Sequence, residues 1–324
     1  FTSIGDLAHS FQMRAHNTRI KQDFIRLSET LASGKHSDMS KELRGEFSNL
    51  ASVERSIETL SAHHTTATET RTLLETAQIA LETVQDLGTD LGPSLITAGN
   101  SAHPAILRTT STDAAQKFDS VVAALNVRIA DRSVFSGMAT DKPALLNATE
   151  ILDEVRSLVV GFTDVNDVIT TVNSWFSDPG GGYETFAYKG ADTALAPIPI
   201  SETEEVHFDV TAEASALRST LRSFALGAIA IDLPLISNNE DQAFLMKEAG
   251  EQMMTSQSNV AILRPDIGAM EAYTESATVR NGASLSVFKI MQTDYYSADP
   301  YEIASQLEAA QAQLEAVYTL TARI

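Results

Sequence analysis

His63 and His64 are residues that could bind a metal or move a proton, but neighbours in sequence point to different faces of a helix. They lack the i, i+4 spacing that a helical zinc pair uses. His9 and His16, seven apart, share a helical face, yet no cluster of further ligands completes a set around them. Gly180-Gly181-Gly182 has the flexibility of a phosphate loop. It is followed by Tyr183 and Glu184, where such a loop needs lysine and a hydroxyl. Glu202, Glu204 and Glu205, like Glu150, Asp153 and Glu154, offer paired carboxylates for acid–base work. Nothing in the sequence supplies the desolvation that would split their pKa values, and charge runs of this kind face water. The chain has no cysteine, which excludes a thiol nucleophile, a disulfide framework and a Cys-type zinc site. The residues therefore offer no catalytic, cofactor-binding or metal-binding candidate, and no cofactor is expected.

What remains is the set of elements that would have positioned such residues. At 324 residues and 43% hydrophobic content the chain can build more than one core, and only 6% of it is aromatic, with Trp175 alone of its kind. Ala, Leu, Thr, Ser, Glu and Gln dominate, a composition suited to long helices packed through small and aliphatic side chains. A formal charge of −20 argues against nucleic acid and anionic membrane as partners, since both are bound through Lys and Arg. The acidity is uneven. Residues 141–240 hold five Lys/Arg against sixteen Asp/Glu, a solvated and self-repelling stretch, whereas residues 1–60 hold eight of each and can bury themselves against protein. The first residues lack a basic start followed by an apolar run, and no run of 18 apolar residues occurs, so a Sec signal and a membrane span are both disfavoured.

Apolar spacing organises the chain. Over residues 4–33, Ile20, Phe24, Leu27 and Leu31 step by four, three and four, and Gly34 is placed to cap the helix. A longer helix is expected from about residue 40 to 90, with a stripe from Leu60 and His63 through Ala67, Thr70, Leu74, Ala77 and Leu81 to Val84. Gly92-Pro93 and then Gly99 to Pro104 are expected to break it. Phe118, Val122, Leu125 and Ile129 resume the pattern, so two helices fold back on one another. At Phe135-Ser136-Gly137 and Pro143 the helical pattern stops, and a hairpin or extended segment is expected to leave the bundle. Residues 150–173 are expected to form another helix. The alternation of Tyr183, Phe186, Tyr188, Ile198, Ile200, Val206, Phe208 and Val210 predicts a β-rich island.

From about Glu240 the helix returns, with Met246, Met253, Val260 and Ile267 seven apart and Leu263, Met270 and Ala277 on the interleaved row; Pro265 is expected to bend or interrupt it. After Pro300, the residues Ile303, Leu307, Ala310, Leu314, Val317, Thr321 and Ile324 alternate four and three without a break. Both ends are thus amphipathic helices with apolar seams. By spacing alone these seams could close on each other within one molecule or on neighbouring molecules. The fold class expected is mainly α: a long antiparallel coiled-coil rod with an inserted smaller domain containing β-strands. Its divisions are terminal coiled-coil helices at 1–40 and 290–324, a helical rod at 41–144 and 240–289, and the inserted outer domain at 145–239.

Taken together these segments resemble the flagellin superfamily, most closely its hook–filament junction members, over nearly the whole chain. The stretch Arg26-Leu27-Ser28-Glu29-Thr30-Leu31-Ala32-Ser33-Gly34-Lys35 is similar to the segment that closes the family's N-terminal helix. Asp131-Arg132-Ser133-Val134-Phe135-Ser136-Gly137 with Thr140-Asp141-Lys142-Pro143 resembles its passage from rod to variable domain. Tyr188 to Asp192, Arg264 to Glu271, and the run from Asp299 to Leu307 with Gln311, Leu314 and Tyr318 carry the likeness onward. The chain departs from the pattern at His36 to Lys41, where the family has an acidic Ser-Asp-Asp-Pro loop, and at Ile324, ahead of the family's short apolar end.

The resemblance implies a non-enzymatic axial subunit of the bacterial flagellum that joins hook to filament. It would be extracellular, exported by the flagellar type III route without a cleaved Sec signal. Implied partners are further copies of itself, the other junction protein, flagellin and an export chaperone. The assembly interface would be formed by Ile20, Phe24, Leu27, Leu31, Ile303, Leu307, Leu314, Val317 and Ile324, and the junction between rod and outer domain by Phe135, Gly137 and Pro143. A filament flagellin is the nearer alternative; a secreted helical adhesin or enzyme using the inserted domain is the more distant one.

Overall fold

A computed structural model of the chain describes residues 4–42 and 45–321. The fold is mainly helical. In chain order the helices are α1 (Ile4–Ser33), α2 (Met39–Glu42), α3 (Ser48–Ser101), α4 (Pro104–Leu125), α5 (Ala148–Val159), α6 (Val165–Ser177), α7 (Ser215–Ile229), α8 (Asn239–Tyr296) and α9 (Pro300–Thr321). Two small antiparallel hairpins complete it: β1 (Arg128–Ile129) with β2 (Arg132–Ser133), and β3 (Ile198–Pro199) with β4 (Glu205–Val206). The chain divides into two compact units, residues 1–62 with 281–324 and residues 63–280, so that α3 and α8 each contribute to both.

In the central unit, 63–280, α3 and α8 run antiparallel. The stripe from Ala67 through Leu74, Leu81 and Val84 is buried and continues without a gap through Leu91, Leu95 and Ala98. Opposite it lie Met246, Met253, Val260 and Ile267, all fully buried at the expected seven-residue interval. Gly92-Pro93 does not break α3 as expected. Pro93 sits on the exposed side, where the carbonyl it leaves without a donor is open to water, and Gly92 serves close packing. A Cβ added at Gly250 would stand 2.9 Å from the Gly92 carbonyl oxygen, so the two helices approach at a point where side chains would hold them apart. The break falls later, at Ala102 in the left-handed region and His103, which caps α4 ahead of Pro104.

Pro265 likewise does not interrupt α8. The carbonyl just before it accepts from Gln78 Nε2 at 2.7 Å, and the Arg264 guanidinium donates to Gln78 (3.2 Å), Gln85 (3.0 Å) and Glu82 (3.3 Å) on α3. These four bonds bind the proline-bearing turn to its neighbour, which offsets the local loss of a helical hydrogen bond.

Between α4 and α8 the sequence expectations needed three corrections. Residues 150–173 form two helices, because Asp164 accepts from the Asn166 amide and starts α6 afresh. Tyr183 to Ala187 is a π-helical turn closed by Tyr188 N donating to Tyr183 O at 2.8 Å, where a strand was expected. That turn brings Tyr183 against Trp175 and Phe176 of α6, with ring centroids 6.4 and 5.7 Å away, and its hydroxyl donates to Ala212 O at 2.6 Å. The strands that do form are two residues long, and Phe208 is buried outside them. Helix α7 fills the middle: all but four of its residues are buried, against α4, α5 and α6.

Candidate assembly interface

In the terminal unit, Gly34 at φ +67° ends α1 by donating to Thr30 O (2.9 Å), and its own carbonyl accepts from Ala298 N (3.0 Å). His36 N donates to Tyr296 O at 2.9 Å, and Lys35 and Ser297 form an antiparallel bridge. Asp299 then caps α9 by accepting from the Tyr301 amide at 2.8 Å. These bonds tie the end of α1 to the start of α9, and from there the helices run antiparallel along their apolar stripes.

The expected seam residues lie at this contact. Ile20, Leu27, Ile303 and Val317 are buried, while Phe24, Leu307 and Leu314 are half-buried. Leu27, Phe24, Ile303, Leu307, Ala298 and Ala310 form one cluster. Leu31 is brought to the surface, 37% exposed, and Thr30 is turned inward instead. Thr30 Oγ1 donates to Arg26 O at 2.8 Å and is 3.1 Å from Ser37 Oγ, so an inward threonine costs little, although it reads as polar in the sequence. Ile324 lies outside the described residues. Nearby, Tyr296 Oη donates to Glu54 at 2.9 Å, which joins α8 to α3 within this unit and raises the tyrosine pKa through that hydrogen bond.

A two-helix layer covers one side of each helix. Phe11 is 72% exposed, Ile290 63% and Tyr301 87%, and Ile25, Val287, Met291 and Tyr318 are also at the surface. Large apolar side chains thus stand on the open faces of this unit.

The junction residues sit in the central unit. Phe135 is fully buried, with its ring 6.4 Å from that of Phe208 and its carbonyl accepting from Ala212 N at 2.9 Å. Gly137 has φ +58°, and a Cβ there would stand 2.4 Å from Thr193 O, so only glycine fits this turn. Pro143 is exposed.

Several of the residues weighed for chemistry take part in holding the fold. The Gly180 amide donates to Glu184 Oε2 at 2.7 Å and Arg218 to Glu184 Oε1 at 2.7 Å, so the glycine loop folds on its own carboxylate; both bonds hold Glu184 below the usual carboxylate range. Glu204 accepts from Arg280 at 2.6 Å and from Ser201 at 3.0 Å, which lowers its pKa in the same way and pins the tip of the β3–β4 hairpin to α8. Glu202 and Glu205 are exposed, Asp153 pairs with Arg156 at 2.8 Å, and His64 Nδ1 lies 3.3 Å from Thr278 O. Among the described residues, no group of three His, Asp or Glu could hold a metal ion and no helix is long and apolar enough to cross a membrane. Helix α7 is the element that sequence reasoning missed; its signal is the unbroken apolar run from Phe224 to Ile231.

No family model and no curated protein matches the chain. A solved structure from Vibrio parahaemolyticus, described as that of a candidate flagellar hook-associated protein, shares its fold. The TM-score is 0.51 at 13% identity, over 76% of this chain and 95% of that one.

Proposed function

We propose that this chain is a structural axial subunit of the bacterial flagellum, of the hook-associated kind, and that it joins hook to filament without catalysing a reaction. The observation that carries the reading is the fold shared, over 76% of this chain, with a protein described as a candidate flagellar hook-associated protein. Supporting it is a terminal unit whose α1 and α9 close one apolar seam while leaving Phe11, Ile25, Tyr301 and Tyr318 uncovered.

In this reading Ile20, Phe24, Leu27, Ile303, Leu307, Leu314 and Val317 set the two-helix unit that assembles, and Leu31, on its outer surface, meets a neighbour. The acidic residues of 145–239 face outward, with α7 and the Phe135 turn fixing that segment to the helices that bear it. Partners are further copies of the chain, the other junction protein and flagellin, and the location is the extracellular flagellum, reached by the flagellar export route. Electron microscopy of flagella from a strain lacking the gene tests it: hooks without filaments are expected, with filaments restored by the full chain. Normal filaments in the deletion strain would overturn it.

A further inference from the structure

A cavity of about 270 Å³ opens between α7 and α8 in the central unit, and its lining is polar throughout. Ser219 and Arg222 of α7 stand on one side, three residues apart and so on one helix face. On α8 the walls include Glu251 and Gln252, whose rows Asn259 and Ser256 continue at steps of eight and four.

Two buried atoms of this lining lack a partner. Arg222 Nε, a donor, and Gln252 Oε1, an acceptor, make no hydrogen bond among the described residues. Their neighbours are engaged elsewhere: Gln252 Nε2 donates to Glu248 Oε1 at 2.6 Å, and Glu251 lies 3.9 Å from Lys247. Burial lowers the Arg222 pKa, and the charge of Glu248 opposes that shift. A buried guanidinium nitrogen without an acceptor is costly, so the arrangement favours a ligand that brings an anionic oxygen. The Ser219 and Ser256 hydroxyls direct their protons to Ser215 O (2.8 Å) and Met253 O (3.0 Å), so toward a ligand they act as acceptors. With Gln252 Oε1 and the Glu251 carboxylate, the cavity has one cation and a surplus of acceptors. A plain oxyanion would satisfy Arg222 and leave those acceptors facing more oxygen.

We infer that this cavity is a binding site for a small free amino acid in its zwitterionic form, with the carboxylate on Arg222 and the ammonium on Gln252 Oε1 and Glu251. The fork of a guanidinium matches a carboxylate through two parallel bonds, and Nε can supply one of them. The three hydrogens of an ammonium suit a surplus of acceptors. In a chain of net charge −20 a zwitterion escapes the repulsion that an anion meets. The volume is that of about nine waters at roughly 30 Å³ each, so the ligand is small, and the hydroxyl and amide walls favour a polar side chain. Such a site is separate from the axial role proposed above and holds or fails independently of it.

The test is titration calorimetry of the full chain with L-serine and L-asparagine, beside acetate and ethanolamine, which each carry half of the zwitterion. The wild type is expected to bind one amino acid per chain, and each half-ligand about tenfold more weakly or worse. Arg222→Lys keeps the charge but loses the fork, and is expected to weaken amino acid binding about tenfold. Glu251→Gln, at a side chain 56% exposed, keeps the fold and is expected to weaken it about threefold. Circular dichroism follows helix content in both variants, and if Arg222→Lys loses it, Glu251→Gln decides. A wild type that binds neither amino acid, acetate bound as tightly as either, or unchanged affinity in Glu251→Gln or in folded Arg222→Lys would each overturn the inference.

Discussion

Replacing Phe135 with alanine is the perturbation with the most determinate consequence. The side chain is fully buried in the central core, so its removal leaves a cavity that the surrounding helices fill only in part. Emptying a buried aromatic site costs about 3–5 kcal/mol, part of it the ring contact with Phe208. The backbone bond from Ala212 N to Phe135 O does not depend on the side chain, so the turn and its exit direction are retained. In a unit of this size each kcal/mol moves the thermal midpoint by roughly 2–4 °C, giving a fall of about 10 °C. Calorimetry of the full chain measures it, with exposed Pro143→Ala as a control expected within about 0.5 kcal/mol of wild type. A Phe135→Ala midpoint within about 2 °C of wild type would refute the claim that this ring anchors the passage into residues 145–239.

Deleting residues 146–238 in favour of a Gly/Ser linker removes α7 and uncovers Leu107, Ala114, Phe118 and Val121 of α4, so calorimetry is expected to show loss of the cooperative transition of the central unit. Leu307→Asp with Leu314→Asp places charges on half-buried positions, at several kcal/mol once a neighbour covers them, and is expected to abolish incorporation into flagella, read by motility and microscopy. The acid dependence has two opposite contributions. Glu204, held low by Arg280, adds stability above the unfolded carboxylate pKa that is lost as pH falls through its folded value. Glu271, pushed up by burial and by Glu75, is relatively favourable below the unfolded pKa, and that advantage is lost as pH rises through its folded value. Thermal scans should therefore find Glu204→Gln less stable and Glu271→Gln more stable than wild type at pH 7, with both differences vanishing as acid protonates the two carboxyls in the folded and the unfolded chain alike.

Those faces of the helices that carry a strict repeat were legible from the residues alone. Met246, Met253, Val260 and Ile267, and likewise Ile303, Ala310 and Val317, are buried at the positions their spacing assigned, because a helix that keeps one apolar row has one side to bury. Gly34 and Gly137 were legible for a related reason: both hold a positive φ that other residues resist. What tertiary structure decided is where a local breaker is allowed to stand. Pro93 and Pro265 lie inside helices because one faces water and the other is held by Gln78 and its neighbours across the helix pair, facts that no window of sequence around either proline contains. Tyr183 entered a π-helical turn to reach Trp175 and Phe176, and Thr30 displaced Leu31 from the seam because its hydroxyl found Arg26 O and Ser37. Each outcome turns on partners distant in sequence or on the chain's reversal at Gly34. A repeat states which side of a helix is apolar, and only packing states what that side meets.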